Sequence, residues 1–455
     1  MVKIDRFIKG INFDISMSID FEDLETQVEE RGKVIKLDNG VVITAEDWPG
    51  SGLAIGTINV LAGSTVEKEG DEGIMHFIEH MSWRASQNYP NDDEKLSAAA
   101  SLGLGVNANT TLEGVNFPIN GANESNYMLA SNFLEASRLI IDSIHQPLFL
   151  DESIELEKGI IGTEILREEN KRAHDPSMER QRVIHQCIFP NSPELMSTEL
   201  AGSQESIQGI TAQRLKEYHK KYFRGSNIIA GLVADFSSNP KLLDQICDLF
   251  SKIPKGVETP FYLPKVETPF EDSTYVDINV GGEGHMEAIT YFYTPPIYHP
   301  EFEKIKGVAH LLGGNCNSLL YRNLRLKNGI SYEVNALTGG TRSTGTLSVF
   351  FNTPPDNFDQ AMGLTSECIN ALREGTFNEE MLEAYKTGYL PQFMVRLKDP
   401  GWIQVELQQR ELGKRMGIGT PQVETVKQLL SLTKEDIVGA ANTYLTRDHR
   451  ILKFL

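Results

Sequence analysis

A chain of 455 residues is too long for one compact core and suits two domains of roughly 200 residues each. Its 40% hydrophobic and 23% charged residues describe an ordinary globular protein, and no apolar run approaches the roughly 20 residues that a membrane span needs. A formal net charge of -20 repels phosphate backbones, which argues against a general affinity for nucleic acid and would steer cationic peptides towards the protein.

In chain order, the start MVKIDRFIKGINFDIS has no long apolar stretch followed by small residues, so no secretory signal is read and a cytoplasmic home is expected. Val41 to Ala45 and Leu53 to Leu61 read as strands, followed by a polar loop from Gly63 to Asp71. Gly73 to Trp83 reads as a helix. Val106 to Thr111 with Gly114 to Ile119 reads as a hairpin. Glu124 to His145 carries Leu129, Phe133, Ile140 and Ile144 near helical spacing, and Asp151 to Arg172 is a second long helix opened by an Asp cap. Strands first and helices afterwards predict an α+β unit, an antiparallel-rich sheet with helices packed on one face. Residues 251 to 270 hold Pro254, Pro260, Pro264 and Pro269, the mark of an extended linker. Beyond it, SLLYRNLRLKNGISYEVNA reads as a helix ending near Gly329 and then a strand beginning around Ile330. Cys187, Cys247, Cys316 and Cys368 stand singly and read as reduced core residues.

The flanks of that linker resemble each other. Gly73 to His80 (GIMHFIEH) lies opposite Gly307 to Gly314 (GVAHLLGG), Val106-Asn107-Ala108 recurs as Val334-Asn335-Ala336, Leu156 to Glu164 lies opposite Ala384 to Gln392, and Asp175-Pro176 pairs with Asp399-Pro400. These ordered matches imply two copies of one fold, with residues 1–250 as a catalytic unit and 271–455 as a degenerate second copy. Glu79 and His80 face Gly313 and Gly314, while Glu157 and Glu164 face Tyr385 and Gln392. Only the first copy keeps candidate ligands.

On a helix, His76, Glu79 and His80 stand at i, i+3 and i+4 and project from one face. Two imidazoles so placed can bind one zinc ion, and the carboxylate between them can take a proton from water. This H-x-x-E-H order reverses the commoner motif. A third ligand must come from elsewhere. Glu157, Glu164 and Glu168 share a face of the later helix, but the first two are separated by about 10 Å along its axis, so one ligates and another supports. Spacing alone leaves open which.

The strings GIMHFIEHMSW, GVNANTT and LEKGIIGTEILREE with AHDP behind them resemble the pitrilysin family of inverted-motif zinc metallopeptidases. That resemblance implies an endopeptidase with one Zn2+ per chain held by His76, His80 and Glu164. It implies Glu79 as general base, Glu157 as an assisting group, and Asn107 and Ala108 as contacts to the substrate backbone. Arg325 and Tyr332 match the pair that such enzymes bring to the substrate from the far lobe, and a chain with two domains implies a homodimer that offers the pair across the interface. The competing reading is a non-catalytic structural or partner subunit of a larger processing complex. Trp83 and the RASQNYP that follows depart from the small, basic run usual after the motif.

Overall fold

The unbroken apolar run Ile228–Ala234 and the alternating Leu53–Val60 set the centre of the first sheet: the former is buried along its whole length, the latter on every second residue. The computed structural model describes residues 19–123, 125–174, 183–184, 186–188, 200–259, 274–278, 286–340, 344–417, 419–446 and 449–454. The first half runs α1 (Phe21–Arg31), β1 (Gly32–Lys36), β2 (Val42–Asp47), β3 (Leu53–Val60), α2 (Ile74–Ser82), α3 (Asp92–Ser101), β4 (Asn109–Thr110) and β5 (Val115–Ile119). It continues through β6 (Met128–Leu129), α4 (Phe133–His145), α5 (Asp151–His174), α6 (Gln204–Gly209), α7 (Ala212–Tyr222), β7 (Ile228–Ala234) and α8 (Pro240–Ser251). Strand order is β1-β2-β7-β3-β5-β4, with β6 added to β3.

The second half runs β8 (Thr274–Ile278), β9 (Met286–Thr294), α9 (Phe302–Gly313), a π-helical turn at Tyr321–Lys327, β10 (Val334–Gly340) and β11 (Gly345–Thr353). Then come α10 (Phe358–Arg373), α11 (Glu379–Arg396), α12 (Trp402–Met416), α13 (Gln422–Ser431), α14 (Lys434–Tyr444) and β12 (His449–Phe454). Its sheet has the order β10-β11-β9-β12-β8. Read backwards, β8-β12-β9-β11-β10 repeats β2-β7-β3-β5-β4, and the one parallel pair falls in the same place in each, β2 with β7 and β8 with β12. The two-copy, α+β expectation is borne out by this shared order.

Each copy's own helices bury one face of its sheet, and the halves then exchange cover for the other. α12 of the second half lies on β1, β2 and β7 of the first. Its start is capped by Glu46 of β2, which is fully buried, accepts hydrogen bonds from Ile403 N (3.0 Å) and Gln404 N (3.2 Å), and pairs with Arg31 at 2.7 Å. A carboxylate at a helix N-terminus complements the unpaired N–H groups and the dipole there. In return, Val183, Ile184 and Cys187 of the first half pack on Ile289, Leu452 and Phe454 of the second sheet. No helix of the described residues is long and apolar enough to cross a membrane.

Three local expectations are corrected. The helix expected from Glu124 begins only at Phe133, because Met128–Leu129 pairs with β3 and a short 3-10 turn intervenes at Ala130–Asn132. The strand expected from Ile330 begins at Val334; Gly329 takes φ +64 and ends the turn, and Asn352 Oδ1 then holds Tyr332 N and Glu333 N outside the ladder. Of the hairpin's first arm only Asn109–Thr110 pairs with β5. Pro254 lies in an extended segment whose carbonyl accepts from Gly225 N, while Pro260, Pro264, Pro269 and the Asp175-Pro176 pair lie outside the described residues.

His219 on α7 is buried under Phe149 and Phe223, and its Nε2 donates to the Ile144 carbonyl at 2.7 Å. Burial lowers its pKa from 6.5 to about 4. The unfolded chain therefore takes up a proton that the folded chain refuses, so the stabilisation is present above pH 6.5 and is lost as pH falls towards 4, on the order of 3 kcal/mol in all. Urea midpoints measured between pH 7 and 4 should fall less steeply for His219→Gln, whose amide can still donate to Ile144; an unchanged slope would remove His219 from the account.

Candidate metal centre

Helix α2 is built to be held rigidly. Seven of its nine residues, among them Ile74, Phe77, Ile78 and Met81, are buried. Its entry at Gly73 takes φ +87, and a Cβ there would stand 2.3 Å from the Ala201 carbonyl oxygen, so only glycine fits. The Glu67 carboxylate caps the first turn, accepting from Gly73 N and Met75 N at 2.9 Å each, and burial pushes its pKa up to about 8. With the apolar face locked into the core, His76 and His80 emerge together, rings 4.6 Å apart and edge to face.

Helix α5 packs Ile154, Ile161 and Ile165 into the same core and turns Glu157 and Glu164 towards α2. Glu164 Oε2 lies 3.8 Å from His76 Nε2 and 3.6 Å from His80 Nε2. Glu157 instead meets the other side of His80, its Oε2 at 2.8 Å from Nδ1. Geometry separates the two glutamates that spacing left alike: Glu164 Oε2 lies near both Nε2 atoms, and Glu157 stands behind one ring. Glu168 lines the same cavity and pairs with Lys171. Among the described residues, His76, His80 and Glu164 are the group whose donor atoms all lie within 4.8 Å of one another. A tetrahedral zinc with bonds of about 2.0–2.1 Å places its ligand atoms about 3.3–3.4 Å apart, so this N, N, O set, its atoms within 4.8 Å of one another, would contract to hold the ion.

The electrostatics are opposed across the site. Burial, and then the neighbouring His80, lower the pKa of His76 to about 4, which keeps that ring neutral and its lone pair available. Burial alone would lower His80 as well, but the Glu157 and Glu164 carboxylates outweigh it and raise its pKa to about 9. Burial would raise Glu157, yet His80 and Arg84 hold it below the usual carboxylate range. Glu79 is buried, which raises its pKa, and its Oε2 accepts from Thr110 Oγ1 at 2.6 Å.

These side chains open on a cavity of about 400 Å³ whose far walls are Asn107 to Thr110 and Leu200 to Gly202. Asn107 and Ala108 therefore face the site, on an edge that β5 pairs only from Asn109 onward. Arg325 and Tyr332 do not line this cavity. The Arg325 guanidinium is held between the rings of Tyr321 (4.9 Å) and Tyr332 (4.6 Å), and Tyr332 is 75% exposed.

Sequence reasoning missed Thr110, Arg84 and the wall at 200–202. Thr110 carried a signal, standing beside the Asn107-Ala108 pair. The wall carried none, because its place follows from Ser206 Oγ donating to the Glu72 carbonyl and Gln204 Nε2 to that of Gly162. In the second copy the equivalent ground is again a cavity, of about 420 Å³, but one that keeps neither the second histidine nor the carboxylates. His310 stacks on Tyr385 at 4.2 Å, and a Cβ on Gly313 would stand 2.4 Å from Ala336 N, where Glu79 has its side chain in the first copy.

Comparison with known proteins agrees with this division. The profile of the insulinase family (peptidase family M16) matches residues 41–193, and that of the peptidase M16 inactive domain matches residues 209–389. An uncharacterized zinc protease of Rickettsia felis is 22% identical over 426 residues, covering 91% of this chain and 95% of that protein. The first half of the periplasmic protease PqqL from Escherichia coli superposes with a TM-score of 0.77 at 16% identity, covering 94% of this chain and 92% of that one. A protease from Helicobacter pylori superposes with a TM-score of 0.70 at 16% identity, over 93% and 99% of the two chains.

Metal analysis after zinc loading should give one ion per chain for the wild type and for Glu168→Gln, and close to none for His76→Ala with the far-ultraviolet spectrum unchanged. Full zinc retention by His76→Ala would refute the ligand set. Gly313→Ala should destabilise the protein by about 1–3 kcal/mol in urea titration, since the β10 backbone has to move.

Proposed function

The chain belongs to the M16 (insulinase, or pitrilysin) peptidase family, and from that premise we propose that it is a zinc-dependent endopeptidase acting on peptides or small unfolded polypeptides. One observation carries the reading: His76, His80 and Glu164 converge on a single point, with the Glu79 carboxylate on the same helix face and in the same cavity.

Bound zinc supplies Lewis acidity there, polarising a carbonyl and making water a nucleophile near neutral pH. The remaining work belongs to the chain. Glu79 takes a proton from the attacking water and passes it to the departing amine, a task matched to a carboxylate whose pKa burial has raised. Thr110 occupies one oxygen of Glu79 and fixes the direction of the other. A substrate in extended form can add to the unpaired edge at Asn107 and Ala108, where backbone hydrogen bonds bind without regard to sequence. This suits an acidic enzyme with a broad choice of basic peptides.

Tyr332 is exposed, half-buried Arg325 lies against its ring on the second copy, and neither lines the chain's own cavity. Their placement supports a homodimer in which each chain offers the pair to the partner's site, donating hydrogen bonds to the scissile carbonyl as it gains charge. We assign residues 1–250 to the catalytic unit, 251–270 to the linker and 271–455 to the presenting copy. The free thiols of Cys247, Cys316 and Cys368 support a reducing, cytoplasmic setting. An intact ligand set and base speak against a purely structural subunit.

Glu79→Gln should keep its zinc while kcat on a peptide library falls at least about a hundredfold; hydrolysis at the wild-type rate would refute the base. Mixing Glu79→Gln with Tyr332→Phe should restore part of the activity that each lacks. Heterodimers that form and stay inactive would contradict presentation in trans.

A further inference from the structure

The two imidazoles of the site are not supported alike. His80 Nδ1 is hydrogen-bonded to Glu157 Oε2 at 2.8 Å, whereas His76 Nδ1 is buried and has no hydrogen-bond partner among the described residues. Whatever orients the ligand rings beyond simple packing must therefore act through His80. Glu157 can do so only if it is itself fixed, since a glutamate has three rotatable bonds and a free carboxylate could swing.

It is fixed by a residue outside the ligand set. Arg84, one turn past His80, donates from Nε to Glu157 Oε1 at 2.5 Å, with its Nη2 at the same distance from the same oxygen. Each carboxylate oxygen thus has its own partner, Oε1 the guanidinium and Oε2 the imidazole. The other end of the guanidinium is tied in turn: Nη1 donates to Asp92 Oδ2 at 3.0 Å, at the start of α3. The Arg84 backbone is tied too, because Lys95 of α3, 1% exposed, donates from Nζ to the Ser82 and Arg84 carbonyls at 2.7 Å each. Helix α3 therefore holds Arg84 by its main chain and by its side-chain tip. The Arg84 and Glu157 side chains are 19% and 5% exposed, so the pair lies where an ionic hydrogen bond is stronger than at an open surface.

We infer that Arg84 is a positioning residue for the metal centre, acting through Glu157 to keep the proton of His80 on Nδ1 and its Nε2 lone pair turned towards His76 and Glu164. The inference rests on the zinc-site reading above. Partners of this kind fix the tautomer and ring angle of a metal-binding histidine, and their loss commonly lowers metal affinity about 10- to 100-fold. A cation bound to the rear of Glu157 also keeps that carboxylate from competing with Glu164 as a ligand.

The test measures zinc affinity by competition with a chromogenic chelator, on the full chain, for wild type, Arg84→Gln, Arg84→Lys, Glu157→Gln and the double variant Arg84→Gln/Glu157→Gln. Arg84→Gln should bind zinc about 10- to 100-fold more weakly, with a rise in thermal midpoint on adding zinc that is smaller than the wild type's. Arg84→Lys should recover part of the loss. The double variant should be no weaker than Glu157→Gln alone, because the arginine acts only through that carboxylate. Wild-type affinity in Arg84→Gln, or losses that add in the double variant, would overturn the inference. If Arg84→Gln does not fold, Asp92→Asn frees the far end of the guanidinium and should give a smaller fall in the same assay; no fall would again overturn it. A wild-type chain that binds no zinc would instead sink the underlying reading, so the two failures are distinguishable.

Discussion

Everything that this protein can do at its candidate centre depends on two imidazole nitrogens and one carboxylate oxygen being aimed at the same point from two helices. Neither helix could hold that aim alone. Helix α2 is short and buried on most sides, so its roll is set by Ile74, Phe77, Ile78 and Met81 in the core, and its start by the Glu67 cap. Helix α5 is long, and the isoleucines it buries decide which glutamates face inward. The cost of bringing several ionisable groups out of water is met locally, because Glu79, Glu157 and His80 each have a hydrogen-bond partner.

The duplication explains how such a site coexists with a robust scaffold. Both copies keep the same strand order and the same parallel pair, and each covers the outer face of the other's sheet, so neither half presents that face bare to water. At the site the copies diverge on the later helix, where Tyr385 and Gln392 replace the glutamates, and in the ground between the first helix and the edge strand. In the first copy Glu79 and Thr110 fill that ground. In the second, Gly313 lets the β10 backbone approach the helix, and Tyr385 stacks on His310.

The sequence made the repeat and the metal helix legible because both are local patterns: an i, i+3, i+4 triplet needs only helical geometry, and ordered matches need only comparison of the halves. The choice of Glu164 over Glu157 was not legible from spacing, since seven residues return to the same helix face and the deciding fact is which side of His80 each carboxylate meets. The exchange of α12 onto the first sheet was also hidden. It joins Glu46 to Gln404, residues remote in the chain, and nothing in either segment names its partner. The early start expected for α4 and β10 failed for a shared reason, a strand bridge or a side-chain cap competing with the regular element at its first turn.

The most direct test of the account is X-ray absorption at the zinc edge on the purified chain. It predicts one zinc per chain in a first shell of nitrogen and oxygen at about 2.0–2.1 Å, with the multiple scattering of two imidazoles. A sulfur shell, a single imidazole, or a chain that carries no zinc after loading would contradict it.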